Sequence, residues 1–482
     1  MTVDLADVQG LVRGYGPRFE FARHFILGIR AGAGARSFVG GLAAGTLGDG
    51  LKVTTAAERS REERPSSCLN IAVTWPGLNE LEVPDGVLAK FPPAFRLGPA
   101  VRAGVDPRKP NSVGLGDVGN SAPDRWRVGG PNAPEVHIIV SLYAQFEDRL
   151  NDVSGWLREA FDTYGLTEHC HRDARALRDA DDGSSRVHFG YRDGIAQPLI
   201  EGIPATGGPD MQPPVPTGDV LLGCDYENSF RGNYAGDLPN ALVDNATYGA
   251  FRILYQDVAA FEDLLDDWSK AAAADRELIA AKLMGRWRNG TPLVLAPKMA
   301  GSKPPIVPEG DLNAFDYAPN DDHPAFYDDA QGLRCPIGAH ARRLNPRGGR
   351  VMGKSHSRRL VRRNMPYGPE LPSGASDDGE DRGLVGYFLC GDLETQWEFI
   401  QATWVNQDLA THGIRRTREP IGGAQPAGGG TFAIPTNQSP GPIMLRGLPN
   451  LVITRGSAYC LLPGIGGLRH LASRSGSNGG TS

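Results

Sequence analysis

The 482-residue sequence predicts an α+β fold arranged in two halves. Three observations point there. Short apolar runs alternate with helical patterns in a strand–helix–strand order near the start of the chain. The same order begins again near Tyr248. The 63 glycines and 38 prolines demand many loops, and so long insertions between core elements.

The first half opens with Asp7–Tyr15 and then a buried-strand pattern, Ala22–Ile29. A Gly/Ala-rich stretch from Ala33 to Leu51 contains a helix, and Ser67–Trp75 reads as a second strand. Leu78–Lys90, interrupted by Pro84, gives one or two short helical turns. Val136–Ala144 is a strand with His137 as a packing residue. Phe146–Tyr164 is a helix whose apolar positions are Leu150, Val153, Trp156 and Leu157. A Pro/Gly-rich loop, 202–217, closes this half.

Tyr248–Asp257 reads as the strand that opens the second half. Asp257–Trp287 reads as helical, with Phe261, Leu264, Leu265, Trp268, Leu278 and Leu283 on an apolar face. An acidic loop (311–329) follows. Gly383–Leu389 is a strand, Asp392–Val405 a helix, 406–440 loop-rich and Leu451–Pro463 the last strand. The expected division is 1–217, 218–471 and a Ser/Gly-rich flexible tail, 472–482.

Composition narrows the function. Hydrophobic residues make up 40% and charged residues 22%, as in an ordinary globular protein. A net charge of −6 argues against a general nucleic-acid-binding surface. No apolar run reaches the roughly 18 residues of a membrane span, and the N-terminus shows no signal-peptide or twin-arginine pattern, so no membrane association and a cytoplasmic location are expected. Six cysteines without Cys-x-x-Cys spacing are expected to be buried, reduced thiols.

Gly114-Leu-Gly-Asp-Val-Gly119 matches the dinucleotide-binding pattern literally. That motif works only between a strand and a helix whose N-terminus holds the pyrophosphate. Asn-Ser-Ala-Pro-Asp follows and no strand precedes, so the reading fails.

The stretch with the most chemistry is Gly332-Leu-Arg-Cys-Pro-Ile-Gly-Ala-His340, followed by Arg342, Arg343 and Arg347. Small neighbours let a flat, bulky group approach the imidazole, and the arginines suit carboxylates on its rim. A haem with two propionates has that shape and charge. A lone histidine is more often structural; four further segments decide against that here.

The His340 run resembles the proximal-histidine motif of the dye-decolorizing peroxidases. Phe189-Gly-Tyr-Arg-Asp193-Gly-Ile-Ala-Gln-Pro198 resembles the family's Gly-x-x-Asp-Gly signature. Arg362-Arg-Asn364-Met-Pro-Tyr-Gly368 is similar to its distal-arginine segment. Leu393–Gln401 and Gly456–Pro463 are similar to its later helix and final strand. The matches keep the family's order from about Asp7 to Pro463.

The resemblance implies two ferredoxin-like domains with antiparallel sheets flanked by helices, and haem in the C-terminal one. It implies a peroxidase that uses hydrogen peroxide to oxidise bulky phenols or dyes through a ferryl intermediate. Carried over residue by residue, His340 is the iron ligand, Asp193 the acid–base group, Arg362 the fixed positive charge and Asn364 a further distal hydrogen-bonding group. Arg347, Leu384 and Gly194 contribute to cofactor binding. The cofactor is one non-covalent haem b per chain, since Cys-x-x-Cys-His is absent. The partners are peroxide and an organic reductant, with a homo-oligomer possible. Glu419 and Asp408 are the candidates to accept the second N–H of His340.

Two other functions share these motifs: a haem-handling protein that binds porphyrin or releases its iron, and a biosynthetic haem oxygenase acting on one metabolite. A carrier needs neither Asp193 nor Arg362, which favours peroxide chemistry. An aspartate ordinarily ionises near 3.9 against about 6.5 for histidine, so an acid optimum is expected. Tyr367 and Trp397 are the candidate electron relays to bulky substrates, although either one alone is more often an ordinary packing aromatic. One departure stands out: where the family places a phenylalanine over the haem, the strand Arg382–Phe388 has Gly386. The expectation is a wider distal pocket there, unless Phe388, two residues on and on the same side of the strand, substitutes through a bulge.

Overall fold

The computed structural model describes residues 3–48, 50–60, 65–100, 111–204, 212–227, 237–317, 328–348, 356–407, 414–437 and 441–473. Twelve strands lie among them: β1 (Phe21–Ile29), β2 (Ser67–Val73), β3 (Ile138–Ala144), β4 (Leu166–Arg175), β5 (Leu177–Arg178), β6 (Ser185–Arg186), β7 (Thr247–Gln256), β8 (Val361–Tyr367), β9 (Gly383–Cys390), β10 (Gly430–Ile434), β11 (Ile443–Leu448) and β12 (Val452–Leu462).

Eight of these make one sheet in the order β4-β1-β3-β2-β12-β7-β9-β8. Every pairing is antiparallel. The order 4-1-3-2 occurs twice in the same direction, once in β1–β4 and once in β7, β8, β9 and β12 taken as first to fourth. Two ferredoxin-like halves therefore share a single sheet. The backbone seam between them is narrow: Leu461 of β12 opposite Val73 of β2.

Alternation along the strands divides the core. One face carries Phe25, Leu27, Ile71, Val73, Val140, Tyr248 and Ala250, covered by helices Gly32–Ala44 and Glu147–Thr163. The other carries Ile26, Ala72, Ile139, Phe251, Ile253, Val385 and Tyr387. In the second half the first of these faces also presents Arg252, Leu254 and Gln256 from β7, Arg362 and Asn364 from β8, and Leu384 and Phe388 from β9 to an internal cavity.

Several expected elements differ in detail. The long helix over Asp257–Trp287 is two, Val258–Ala272 and Arg276–Met284. Ala273 breaks it in a left-handed conformation (φ 48°), and Asp275 caps the second piece by accepting from the amides of Glu277 (2.9 Å) and Leu278 (3.1 Å). Asp392–Val405 winds with π-helical geometry, which turns Trp397, Gln401 and Val405 toward the cavity. The loop-rich 406–440 stretch supplies β10, which pairs with β11. A helix, Ile465–Ala472, follows the last strand, and the rest of the expected tail lies outside the described residues.

The cysteines are free thiols and five are buried, but Cys170 is exposed on edge strand β4. No described helix is long and apolar enough to cross a membrane.

Candidate functional site

His340 opens a five-residue helix, His340–Leu344, after the extended Ala339. Gly338 is small for a reason, since a Cβ there would sit 3.1 Å from Ile414. The His340 Nδ1 lies 2.9 Å from Glu419 Oε1. An ionised carboxylate only accepts, so Nδ1 carries the proton and Nε2 keeps its lone pair. Glu419 is fully buried and also accepts from the amides of Ile421 (3.0 Å) and Gly422 (2.6 Å). Burial alone pushes its carboxyl up, but His340 and these amides outweigh that and hold it below the ordinary value. Asp408, the other candidate, lies outside the described residues.

The three arginines of the His340 run separate. Arg342 binds Asp329 and the Cys335 carbonyl, and Arg343 binds the carbonyls of Trp404, Gln407 and Thr417; neither lines the cavity. The expectation that both face a cofactor rim is wrong, because buried backbone carbonyls claim them first. Arg347 does line it. Its Nη1 already donates to the carbonyls of Asn313 (3.1 Å) and Phe315 (2.9 Å), and its guanidinium stacks 3.8 Å over the Phe315 ring. Arg358 and Arg359, two members of the basic run 354–363, also line the cavity.

These residues enclose a cavity of about 620 Å³, lined also by Asp193, Gly194, Arg362, Asn364, Leu384 and Phe388. Asp193 sits on a loop whose next residue, Gly194, has φ 80° and so needs glycine. The Arg362 guanidinium is aimed by donating to the carbonyls of Ala196 (2.7 Å) and Leu360 (3.2 Å), and its amide is held by Gln197 Oε1 (3.0 Å). Burial pulls its pKa down and the Asp193 carboxylate pulls it up, with a net lowering. A guanidinium nevertheless stays cationic in a protein. Both carboxamide atoms of Asn364 are buried without a partner. Such atoms are costly unless a ligand satisfies them.

A second, more open cavity of about 1120 Å³ meets the first at Asp193, Gln197, Arg362 and Asn364. Arg13, Arg178, Arg186, Arg192 and Arg363 join Arg362 on its walls, against three carboxylates, Asp182, Asp193 and Glu309. The Arg192–Glu309 pair, at 2.6 and 3.0 Å, spans this vestibule.

Two expectations fail at this site. Tyr367 is 2% exposed and does not line the cavity, and Trp397 lines it but is 4% exposed. Neither reaches the surface to meet a bulky dye. Gly386 does not widen the pocket either. Its φ is 148°, and a Cβ there would lie 2.1 Å from the Arg363 carbonyl oxygen and 2.7 Å from the Asn364 Cα. The missing side chain would point into β8, not into the cavity. Phe388 fills the place with no register shift in β9, its ring 4.5 Å from that of Trp397. Gly386→Phe is therefore expected to destabilise the fold by about 3 kcal/mol or more, read as a lower denaturation midpoint, without changing cavity volume first.

The sequence reading also missed a buried ion pair on the cavity wall. Asp117 accepts from Arg252 Nη1 and Nη2 (both 2.8 Å) and from Thr454 Oγ1 (2.6 Å). Asp117 lies in the glycine pattern rejected as a dinucleotide site. A Cβ at Gly116 (φ 80°) would come within 2.5 Å of the Asn406 carboxamide, so those glycines serve a tight turn and a close approach.

Among the described residues no group of three or more His, Cys, Asp or Glu side chains is placed to hold a bare metal ion. The cavity presents instead one described imidazole, His340, with a carboxylate behind it.

No family model matches the chain. It is similar to Peroxidase 2 of Mycetinis scorodonius, 26% identical over 429 residues, covering 85% of this chain and 77% of that protein. The dye-decolorizing peroxidase of Mycena epipterygia is 26% identical over 367 residues, 74% of this chain and 64% of that one. Among solved structures, an ancestral D-type dye-decolorizing peroxidase superposes with a TM-score of 0.79 at 24% identity, covering 97% of this chain and 99% of that chain. In sequence, fold and the furnishing of the cavity the chain is similar to the dye-decolorizing peroxidases.

Proposed function

We propose that this protein is a haem-dependent peroxidase that uses hydrogen peroxide to oxidise phenolic or dye-like organic reductants. One observation carries the reading: a carboxylate-backed imidazole shares a cavity with an aspartate, a buried guanidinium and an unpartnered carboxamide.

The cavity suits haem b held without covalent bonds. No cysteine is among its lining residues. His340 Nε2 would hold the iron, and the Glu419 hydrogen bond fixes the ring and raises its basicity. The Arg347 guanidinium would pair with a propionate, Leu384 would offer the macrocycle an apolar surface, and Gly194 would let the Asp193 loop come close. Bound there, haem supplies a redox-active iron at which peroxide is cleaved.

The remaining chemistry belongs to the side chains. Asp193 takes the proton from the near oxygen of peroxide and returns it to the far one, which leaves as water. Arg362 opposes the negative charge that builds on the far oxygen, from a position already fixed by two carbonyls. Asn364 offers its free N–H to the same oxygen. The vestibule, which meets the cavity at these three residues, gives peroxide its way in. For the chain's organisation, 1–217 and 218–471 serve as the two working units.

Loading the purified chain with haemin and mixing it rapidly with peroxide tests the proposal. The expected result is a prompt change in the haem absorption spectrum, reversed by 2,6-dimethoxyphenol with turnover. A haem-handling protein would bind haemin with no such change.

A further inference from the structure

The cavity reaches the surface at two places. One is at Asp193 and Gly194, through the arginine-lined vestibule. The other is marked by five exposed lining residues in three loops: Val118, Gly119, Asn120, Ala427 and Asn450. These loops are stapled into one rim. Asn406 donates to the Leu115 carbonyl (2.8 Å) and accepts from the Ala424 amide (2.8 Å). Asn450 accepts from the Gln425 amide (2.7 Å), and Ser121 accepts from the Thr454 amide (3.1 Å).

The two openings differ in chemistry. None of the five rim residues is charged, and Val118 is 40% exposed. One guanidinium touches the rim from outside, Arg125, which donates to Asn120. Behind the rim stand Leu115, Val452 and Ile453, while Asp117 and Arg252 neutralise each other. Gln256 completes the lining. It lies on β7 opposite Val452, two residues from Asn450, and is 4% exposed, with its Oε1 buried and unpartnered. A buried amide oxygen without a donor is a place for a ligand O–H.

We propose that this second mouth is a binding site for small, uncharged phenols, with the ring between Val118 and Val452 and the hydroxyl donating to Gln256. The site rests on the haem-peroxidase reading and gives the reductant an approach separate from that of peroxide. The five uncharged rim residues select against sulfonated or carboxylated aromatics, whose desolvation none of those five would offset.

Calorimetric titration of 2-methoxyphenol into the haem-loaded protein, with no peroxide present, tests this. Saturable binding is expected in the wild type. Val118→Trp, which plugs the rim, should weaken it at least tenfold. Gln256→Leu, which keeps the volume and removes the acceptor, should weaken it roughly threefold to tenfold. Because Gln256→Leu alters no loop, it keeps the test decisive if the plug disturbs folding. Absence of saturable binding in the wild type, or unchanged affinity in both variants at full haem content, would overturn the proposal. A chain that binds haem and phenol as described but leaves peroxide intact would remove the peroxidase reading and leave the site standing. A chain that takes up no haem would remove both.

Discussion

His340→Ala is expected to leave the purified chain with little bound haem and peroxidase activity down at least about a thousandfold. Among the described residues that line the cavity, His340 is the one histidine. Glu419→Gln should act more mildly, because it keeps the ligand and weakens only its support. Losses of about 10–100-fold in metal affinity or activity are typical for such partners. Haem content by absorbance and peroxide turnover measure both. Full haem occupancy with an unchanged spectrum in His340→Ala would take the ligand role from this residue.

The same pair sets an acid limit. The Glu419 carboxyl lies below its ordinary value in the folded chain. A carboxylate depressed on folding stabilises the fold above its unfolded value, about 4.3, and loses that contribution as pH falls through the folded value. The Glu419 contribution to stability should therefore be intact at neutral pH and be lost as pH falls below about 4.3. In Glu419→Gln the acid-side loss should be smaller. An equal slope in both proteins would show that other carboxylates set the limit.

Asp193→Asn and Arg362→Leu are expected to give the second largest effect, this time with haem retained. Removing a positioned acid–base group costs about 10²–10⁴ in rate, and removing one fixed electrostatic partner about 10²–10³. The second-order rate constant for reaction with peroxide, by stopped flow, should fall within those ranges. Haem affinity should stay close to wild type, since neither residue holds the iron. In Arg362→Leu the hydrogen bonds to Ala196 and Leu360 are also lost, so a lower melting temperature should accompany it. A wild-type rate constant in Asp193→Asn would exclude it as the proton carrier.

Much of the frame could be read before any coordinates, and the misses have physical causes. Strands β1, β2, β3, β7 and β12 are apolar runs because both faces of the sheet are covered there. Edge strand β4, Thr-Glu-His-Cys-His-Arg-Asp over 167–173, is half exposed and polar, so it lacks the signal. The π-helical winding of 393–405 changes which side chains face inward without changing the composition. His340, Asp193 and Arg362 were visible as motifs, and the cavity brings them together. The Asp117–Arg252 pair was not, because a contact across 135 residues leaves no local pattern. Gly386 shows the opposite error. A missing ring was legible, but the direction of its absent Cβ depends on φ, which only the backbone reveals.

The shared sheet has a consequence for how the protein acquires its cofactor. Loops 115–121 and 187–197, from the first half, wall a cavity that is completed by His340 and by Val452, Ile453 and Thr454 of β12. That strand must slot between β2 and β7 to complete the sheet. A nascent chain finishes its first half long before those parts exist. Haem capture is therefore a late event in biogenesis, coupled to the docking of one half on the other. With a single backbone pair at the seam, whatever fills the cavity holds the halves together by mass action. The cofactor is a fastener as well as a reagent, adding to the apolar cores that already run through both halves.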